Sequence, residues 1–145
     1  FYSICKKTKF DVAISEDITA DLWKKWVFIS TVAGATTLFN CPLGEISNHE
    51  VGKKTLSDLY NECRSIAKFN GFTISDLETK NVLKNIMTPG SLIKASMLRD
   101  IEKKAPTEHE EIFGDLILEA EKFDFNCPML RACYLRMKIY KDNLN

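Results

Sequence analysis

The sequence predicts an all-α domain, a bundle-like arrangement of about six helices. Apolar residues recur at helical spacing through most of the chain, Ser/Thr-x-x-Glu capping patterns precede several of these segments, and Pro and Gly fall between them. The 145 residues suffice for one domain of ordinary size. With 45% hydrophobic and 28% charged residues, the composition is typical of a soluble globular domain.

The N-terminal segment, residues 1–16, is predicted to be a linker from a domain outside this chain, and residues 17–145 the helical domain. Phe10 to Ile14 alternates weakly and is predicted to be one short strand. It needs a sheet supplied from elsewhere, because no second strand pattern follows. With that sheet missing, the surface around Phe1, Tyr2 and Phe10 is predicted to be exposed and to favour a homodimer of this chain that the intact protein does not form.

The first long helix is predicted from about Thr19 to Phe39, with Gly34 as its weak point. The Pro- and Gly-containing segment Asn40–Gly44 ends it. The next two helices are predicted to begin at capping boxes, in which a Ser and a Glu satisfy free amides at a helix start. These boxes are Ser47-Asn-His-Glu50 and Ser75-Asp-Leu-Glu78.

The C-terminal third is predicted to hold three helices. A short one covers Met97 to Lys103, a third capping box at Thr107-Glu-His-Glu110 starts the next, and Pro128 starts the last. The apolar stripes of all these helices are interpreted as core, because helices need an apolar face to hold tertiary structure.

Charge and cysteine usage exclude several classes of function. Lys plus Arg equals Asp plus Glu at 20 each, which argues against nucleic acid or an anionic membrane as the main partner. Five cysteines without a CxxC pair predict free thiols in a reducing compartment, with neither a disulfide framework nor a metal site. His49 and His109 are predicted to lie on the surface. Because neither GxGxxG nor GxxxxGK[ST] occurs, any nucleotide phosphate loop lies outside the chain.

Lys25 is the first candidate for chemistry. It stands in Leu22-Trp-Lys-Lys-Trp26, and Ile29 and Ala33 follow it at four-residue intervals on one face of the same helix. Two interpretations are open. A lysine at the rim of an apolar face can be poorly solvated, which lowers its pKa toward useful acid-base values. Alternatively, its side chain snorkels so that the ammonium reaches water.

Glu108 is the second candidate. A carboxylate in the first turn suits the helix dipole, which is a sufficient structural explanation. In the predicted capping box, however, Glu110 is the partner of Thr107, and Glu108 is free to face a ligand.

Four segments, taken in order, resemble the C-terminal domain of ketopantoate reductases (2-dehydropantoate 2-reductases). Each motif is short, but their order and spacing cover nearly the whole chain, and Gly114 and Pro128 also fall where the family tends to have them. The segments are Leu22-Trp23-Lys24-Lys25, Pro42-Leu43-Gly44-Glu45, Ser96-Met97-Leu98-Arg99-Asp100 and Thr107-Glu108.

The resemblance implies a role for three residues. The family lysine matches Lys25, which would donate to the keto oxygen and protonate the alkoxide as hydride arrives. The family serine matches Ser96 and would bind the substrate carboxylate. The family glutamate matches Glu108 and would bind the substrate hydroxyl and steady the lysine.

The resemblance also implies a fold, a cofactor and partners. Such enzymes pair a Rossmann domain that binds NADPH with a helical C-terminal domain like that of 6-phosphogluconate dehydrogenase, and bind a small 2-oxo acid in the cleft between the two. The expected protein is therefore a cytoplasmic NADP-dependent oxidoreductase that reduces ketopantoate to pantoate for pantothenate biosynthesis. This chain alone is expected to be inactive, because it holds no cofactor site.

Three positions depart from the family pattern. Ile29, Ala33 and Leu43 stand where better-known members place asparagines that help to hold the substrate. Each lost hydrogen bond should weaken discrimination for a hydroxy-keto acid by about 1–3 kcal/mol. Two alternatives therefore stay open: a related reductase of a more apolar 2-oxo acid, and a non-catalytic helical interaction or dimerisation module.

Overall fold

The computed structural model describes residues 14–144, which form an all-α domain, as predicted. These residues contain seven α-helices, one π-helix and no strand. Most of the strand predicted at Phe10–Ile14, together with Phe1 and Tyr2, lies outside the described residues. The α-helices are α1 (Ile18–Phe39), α2 (Leu43–Ser47), α3 (Glu50–Phe69), α4 (Asp76–Ile86), α5 (Ser96–Glu102), α6 (Asp115–Glu121) and α7 (Pro128–Asp142), and the π-helix (Glu110–Gly114) leads directly into α6.

The central element is α1, which packs against α3 and α7 and also touches α5 and the π-helix. Its second half, from Ser30 to Thr37, is buried on every side. Thr31, Thr36 and Thr37 are tolerated there because each hydroxyl donates to the carbonyl four residues earlier, at 2.8, 2.7 and 2.7 Å. Because the bundle surrounds the second half of α1, it also fixes the position of the first half, whose side chains are mostly exposed or half-buried.

Gly34 does not interrupt α1, although the sequence predicts a weak point there. The helix is continuous through it. A Cβ at this position would lie 2.9 Å from Sγ of Cys133 and 3.1 Å from Cδ2 of Leu59. The glycine therefore permits close approach of α3 and α7 to α1.

The turn after α1 supports the segment that leads to α5. Asn40 ends the helix in the left-handed conformation, with φ 54°. The amides of Leu43 and Gly44 then donate to the carbonyls of Ile93 and Ser91 at 3.0 and 2.9 Å. A Cβ on Gly44 would lie 2.5 Å from the Ser91 backbone, so only glycine fits this contact.

The capping box predicted at Ser75 and Glu78 is confirmed. The Ser75 hydroxyl accepts from the Glu78 amide at 3.2 Å, and Glu78 Oε2 accepts from the Ser75 amide at 3.0 Å. The box predicted at Ser47 and Glu50 is wrong. Ser47 belongs to the short helix α2, and its buried hydroxyl donates to the Gly44 carbonyl at 3.2 Å.

The box predicted at Thr107 and Glu110 is also wrong. Thr107 Oγ1 lies 2.8 Å from Nδ1 of His109 instead, and no side chain caps the π-helix. Pro128 does begin the last helix. The first amides of that helix donate to a side chain from α3, since Met129 N and Leu130 N bond to Glu62 at 3.1 and 2.9 Å.

None of the helices within residues 14–144 combines the length and the apolar character that a bilayer crossing requires.

Candidate functional site

A cavity of about 300 Å³ lies between α1, the segment before α5 and the start of the π-helix. It brings together Ser96 and Glu108, two of the three residues singled out in the sequence. Most of the remaining lining is apolar, with one lysine. That lining consists of Phe28, Ile29, Val32 and Ala33 from α1, Ile93, Lys94, Ala95 and Met97 around the start of α5, and Ile112.

Lys25 lies outside this lining but close to it along α1. It precedes Ile29, which lines the cavity, by one helical turn, a spacing that puts neighbouring Cβ atoms roughly 5–6 Å apart. Its side chain is exposed and makes no ion pair with any residue in the range 14–144. The ammonium is therefore free of ion pairs within the described residues, and the cavity wall at Ile29 lies one helical turn further along α1.

Lys24, the neighbouring lysine, is engaged elsewhere. Its Nζ lies 2.8 Å from Oε1 of Glu78, at the start of α4. The hydrogen bond with Glu78 is the main cause of a raised pKa for Lys24. Of the two adjacent lysines, Lys24 is thus paired with a residue of α4.

Ser96 is the first residue of α5 and is positioned from α1. The amide of Ala95, immediately before it, donates to Oγ1 of the buried Thr36 at 3.4 Å, while Thr36 donates to the Val32 carbonyl. The Ser96 side chain is exposed toward the cavity side of the helix start. A hydroxyl there can donate to a carboxylate or a carbonyl oxygen.

Glu108 lies just before the π-helix. Its carbonyl accepts from the Ile112 amide at 3.1 Å, and its side chain is exposed. Within the described part of the chain, no hydrogen bond or ion pair engages its carboxylate. The capping role that the sequence assigned to Glu110 is wrong, but the inference that Glu108 is free to face a ligand agrees with its place in the cavity wall.

Ile29, Ala33 and Leu43 have different environments in the structure. Ile29 and Ala33 line the cavity, whereas Leu43 is fully buried in the core. An apolar residue at the first two positions therefore changes the cavity wall directly. The contact of Leu43 with the cavity wall is through its backbone, whose amide donates to the Ile93 carbonyl at 3.0 Å.

Two site-supporting residues escaped the sequence analysis. Trp26 Nε1 donates to the Ile112 carbonyl at 3.0 Å, and the buried Ser30 hydroxyl donates to the same oxygen at 3.3 Å. Both donors sit on α1, more than 80 residues before their acceptor. The available sequence signal was the four-residue spacing of Trp26 and Ser30, which places an indole N–H and a hydroxyl on one face of a helix.

His109 is buried, which corrects the predicted surface position. Only 2% of it is exposed, because it packs beside Tyr134 with the ring centres 6.2 Å apart. Its Nε2 lies 3.5 Å from Glu110 Oε1, too long for a strong hydrogen bond. A hydrogen bond from the Tyr134 hydroxyl, then one from Lys138, lowers the pKa of Glu110 from 4.5 to about 2. Glu110 thus ties the π-helix to α7.

The family model described as "Ketopantoate reductase PanE/ApbA C terminal" matches residues 17–141. The chain belongs to this family. An uncharacterized oxidoreductase of Bacillus subtilis, YkpB, is 33% identical over 133 residues, which is 92% of this chain and 44% of the relative. The 2-dehydropantoate 2-reductase of Shigella flexneri is 25% identical over 118 residues, which is 81% of this chain and 38% of the relative.

Solved structures show the same fold. A dimeric ketopantoate reductase from Staphylococcus aureus has a TM-score of 0.86 at 18% identity, covering 99% of this chain and 50% of that one. A D-mandelate dehydrogenase complex with NADH and anilino(oxo)acetate has a TM-score of 0.84 at 18% identity, covering 99% and 60%. The chain spans less than half the length of the Bacillus subtilis and Shigella flexneri relatives.

Proposed function

We propose that this chain is the substrate-side domain of an NADPH-dependent 2-oxo acid reductase, with ketopantoate as the leading substrate and pantoate as its product. One observation carries the proposal: Ser96 and Glu108 line one cavity together with Ile29, which follows Lys25 by one helical turn on α1. Family membership supports the reaction class, and the cavity lining supports the choice of residues.

Lys25 acts as the general acid. As hydride reaches the carbonyl carbon, the C=O π bond breaks and its electrons pass to the oxygen, which takes a proton from the Lys25 ammonium. The neutral amine then regains a proton from solvent, which its exposure permits. An ammonium beside the developing alkoxide also stabilises its charge in the transition state.

Ser96 and Glu108 hold the substrate. The Ser96 hydroxyl donates to the substrate carboxylate, and Glu108 accepts from the substrate hydroxyl. Both belong to the same cavity wall, and two contacts to one small molecule fix its orientation relative to Lys25.

This chain does not carry the phosphate-binding loop that a dinucleotide cofactor needs. The sequence has no glycine-rich phosphate loop, and its six glycines serve turns and helix contacts instead. We propose that an upstream Rossmann domain of the same protein binds NADPH, which supplies the hydride when bound. The isolated chain is expected to turn nothing over.

The test is a substrate panel on the intact protein. We expect NADPH oxidation with ketopantoate in the micromolar-to-millimolar KM range that enzymes usually show, about 1 μM to 1 mM. No turnover with any 2-oxo acid, although NADPH binds, would contradict the proposal and favour a non-catalytic helical interaction module.

A second candidate keeps the reaction and changes the substrate to a more apolar 2-oxo acid. The apolar cavity wall favours it, because Ile29 and Ala33 offer no hydrogen bond to a hydroxyl group. The D-mandelate dehydrogenase neighbour acts on an aromatic hydroxy acid, as its name indicates. In the same panel, higher kcat/KM for branched or aromatic 2-oxo acids than for ketopantoate would select this candidate.

We also propose a cytoplasmic homodimer. The described cysteines, Cys41, Cys63, Cys127 and Cys133, are free thiols, which suits a reducing compartment. Apolar side chains remain exposed on the last two helices, at Leu118, Leu135 and Ile139. Light scattering of the intact protein should give twice the monomer mass, and a monomer at micromolar concentration would contradict the dimer.

A further inference from the structure

We infer that Trp26 and Ser30 are positioning residues that hold Glu108 at a fixed distance from Lys25. They act through a single atom, the carbonyl oxygen of Ile112, and touch neither the substrate nor the cofactor in this scheme. The inference rests on the proposed function and adds two residues to its machinery.

The two donors converge on that oxygen from consecutive turns of α1. Trp26 Nε1 lies 3.0 Å from it and Ser30 Oγ lies 3.3 Å from it. Ser30 is fully buried and Trp26 is half-buried. Water therefore competes poorly for the Ile112 carbonyl, and loss of a donor leaves a partly buried acceptor without its partner.

Ile112 is also bonded back to Glu108. Its amide donates to the Glu108 carbonyl at 3.1 Å, so one residue is fixed at both ends, to Glu108 on one side and to α1 on the other. Its side chain lines the cavity between them. Movement of Ile112 would therefore move Glu108 and change the cavity wall together.

The backbone that follows Glu108 needs support from outside its own helix. Residues Glu110–Gly114 form a π-helix, in which the Asp115 amide reaches back to the Glu110 carbonyl. A π-helix is rare and less favourable than an α-helix, and it occurs often at functional sites. No side chain caps its start, so the contacts from α1 hold the turn in place.

The sequence positions explain how this anchor couples two functional groups. Trp26 directly follows Lys25, and Ser30 directly follows Ile29. The peptide that carries Glu108 is thus fastened to the same two turns of α1 that carry Lys25 and the cavity-lining Ile29. A small shift between an acid and its substrate-binding partner lowers the rate strongly.

The test uses the intact protein with NADPH and its best 2-oxo acid. Trp26→Phe keeps an aromatic ring beside Trp23, whose ring centre is 5.0 Å away, and removes the N–H donor together with part of the ring volume. Ser30→Ala removes the second donor. We expect each to lower kcat by about fivefold to tenfold, the effect of one lost hydrogen bond, while the KM for NADPH stays unchanged.

Trp23→Phe is the matched control. Trp23 lies one turn earlier, stacks on Phe72 and, within residues 14–144, donates no hydrogen bond from its indole. This control should keep its kcat. Equal losses of kcat in both tryptophan variants would overturn the inference, because they would indicate a general packing effect.

A double-mutant cycle with Glu108→Gln decides whether the effect passes through Glu108. If Trp26 acts by holding Glu108, Trp26→Phe should cost little further kcat in the Glu108→Gln background. Fully additive losses would overturn the inference while leaving the proposed function intact. If Glu108→Gln itself leaves kcat and KM unchanged, the proposed site fails, and the positioning role with it.

Hydrogen exchange gives a readout independent of activity. The Ile112 amide, bonded to Glu108, should exchange faster in Trp26→Phe than in the wild type or in Trp23→Phe. Unchanged exchange at this amide in both the Trp26 and Ser30 variants would overturn the inference even if kcat falls. Because Trp26→Phe and Trp23→Phe lose the same ring volume, comparing them isolates the lost N–H donor, and the test does not depend on the Ser30 variant folding.

Discussion

Lys24 on α1 and Glu78 on α4 form an ion pair, with 2.8 Å between Nζ and Oε1. Glu78 also closes the capping box with Ser75, so one carboxylate serves both the start of α4 and its contact with α1. The pair gives Lys24 a structural role. Its neighbour Lys25, one residue on and directed to a different side of the helix, keeps an exposed ammonium.

Acid should weaken the fold through two carboxylates. Hydrogen bonds from Lys24 and Ser75 lower the pKa of Glu78 from 4.5 to about 2, and those from Tyr134 and Lys138 do the same for Glu110. Because the folded-state pKa lies below the ordinary value, their stabilisation is complete above pH 4.5 and is lost as pH falls through about 2.

The corresponding measurement is urea denaturation between pH 7 and pH 2. We expect Glu78→Ala to reduce the free energy of unfolding at pH 7 by about 1 kcal/mol, since the Glu78 side of the capping box is lost while the solvent-screened ion pair adds little. The variant should also show a shallower loss of stability below pH 4.5. A pH dependence identical to that of the wild type would contradict this role for Glu78.

Glu62 should stabilise the last helix. It accepts from the amides of Met129 and Leu130 at the start of α7, where a carboxylate also suits the helix dipole. Glu62→Ala should lower the free energy of unfolding by about 1–2 kcal/mol. Asp58→Asn is the control on the same helix: its exposed pair with Lys54 should contribute less than about 0.5 kcal/mol.

Gly34→Ala should destabilise the domain although alanine is the better helix former. The added Cβ would meet Cys133 Sγ at 2.9 Å and Leu59 Cδ2 at 3.1 Å. Overpacking of this kind costs about 1–3 kcal/mol, which exceeds the gain of roughly 1 kcal/mol in helix propensity. Thermal unfolding tests the sign, and Cys133→Ala in the Gly34→Ala background should recover part of the loss. A higher Tm for the single variant would refute the tight crossing.

Ile29→Asn should shift substrate preference. It adds a hydrogen-bonding side chain to the cavity wall, at a position where the resemblance implies an asparagine that helps to hold the substrate. The ratio of kcat/KM for ketopantoate to that for a branched 2-oxo acid should rise by about tenfold. Leu43→Asn is the contrast: Leu43 is buried in the core, so this change should reduce stability and not shift the ratio.

Local rules explain which parts of this fold the sequence could predict. The helix limits follow from apolar spacing and from Pro and Gly, as at Pro128. Capping boxes were less reliable, because a Ser-x-x-Glu pattern fixes no tertiary partner. The short helix α2 absorbs Ser47, and the buried His109 takes Thr107 as its hydrogen-bond partner.

The candidate site also has one part that the sequence predicts and one part that it does not. Spacing along α1 places Lys25 one turn from Ile29, and the resemblance adds Ser96 and Glu108. The shared acceptor at Ile112 depends on a π-helix and on contacts across more than 80 residues, which no local pattern encodes.

Paired substitutions of the adjacent lysines test the central claim most directly. In the intact protein with NADPH and the best 2-oxo acid, Lys25→Ala should lower kcat by about 10²–10⁴-fold, the usual contribution of a general acid. Lys24→Ala should keep kcat near the wild-type value, because Lys24 pairs with Glu78. Wild-type turnover in Lys25→Ala, or a loss of kcat in Lys24→Ala as large as in Lys25→Ala, would contradict the assignment of Lys25 as the acid.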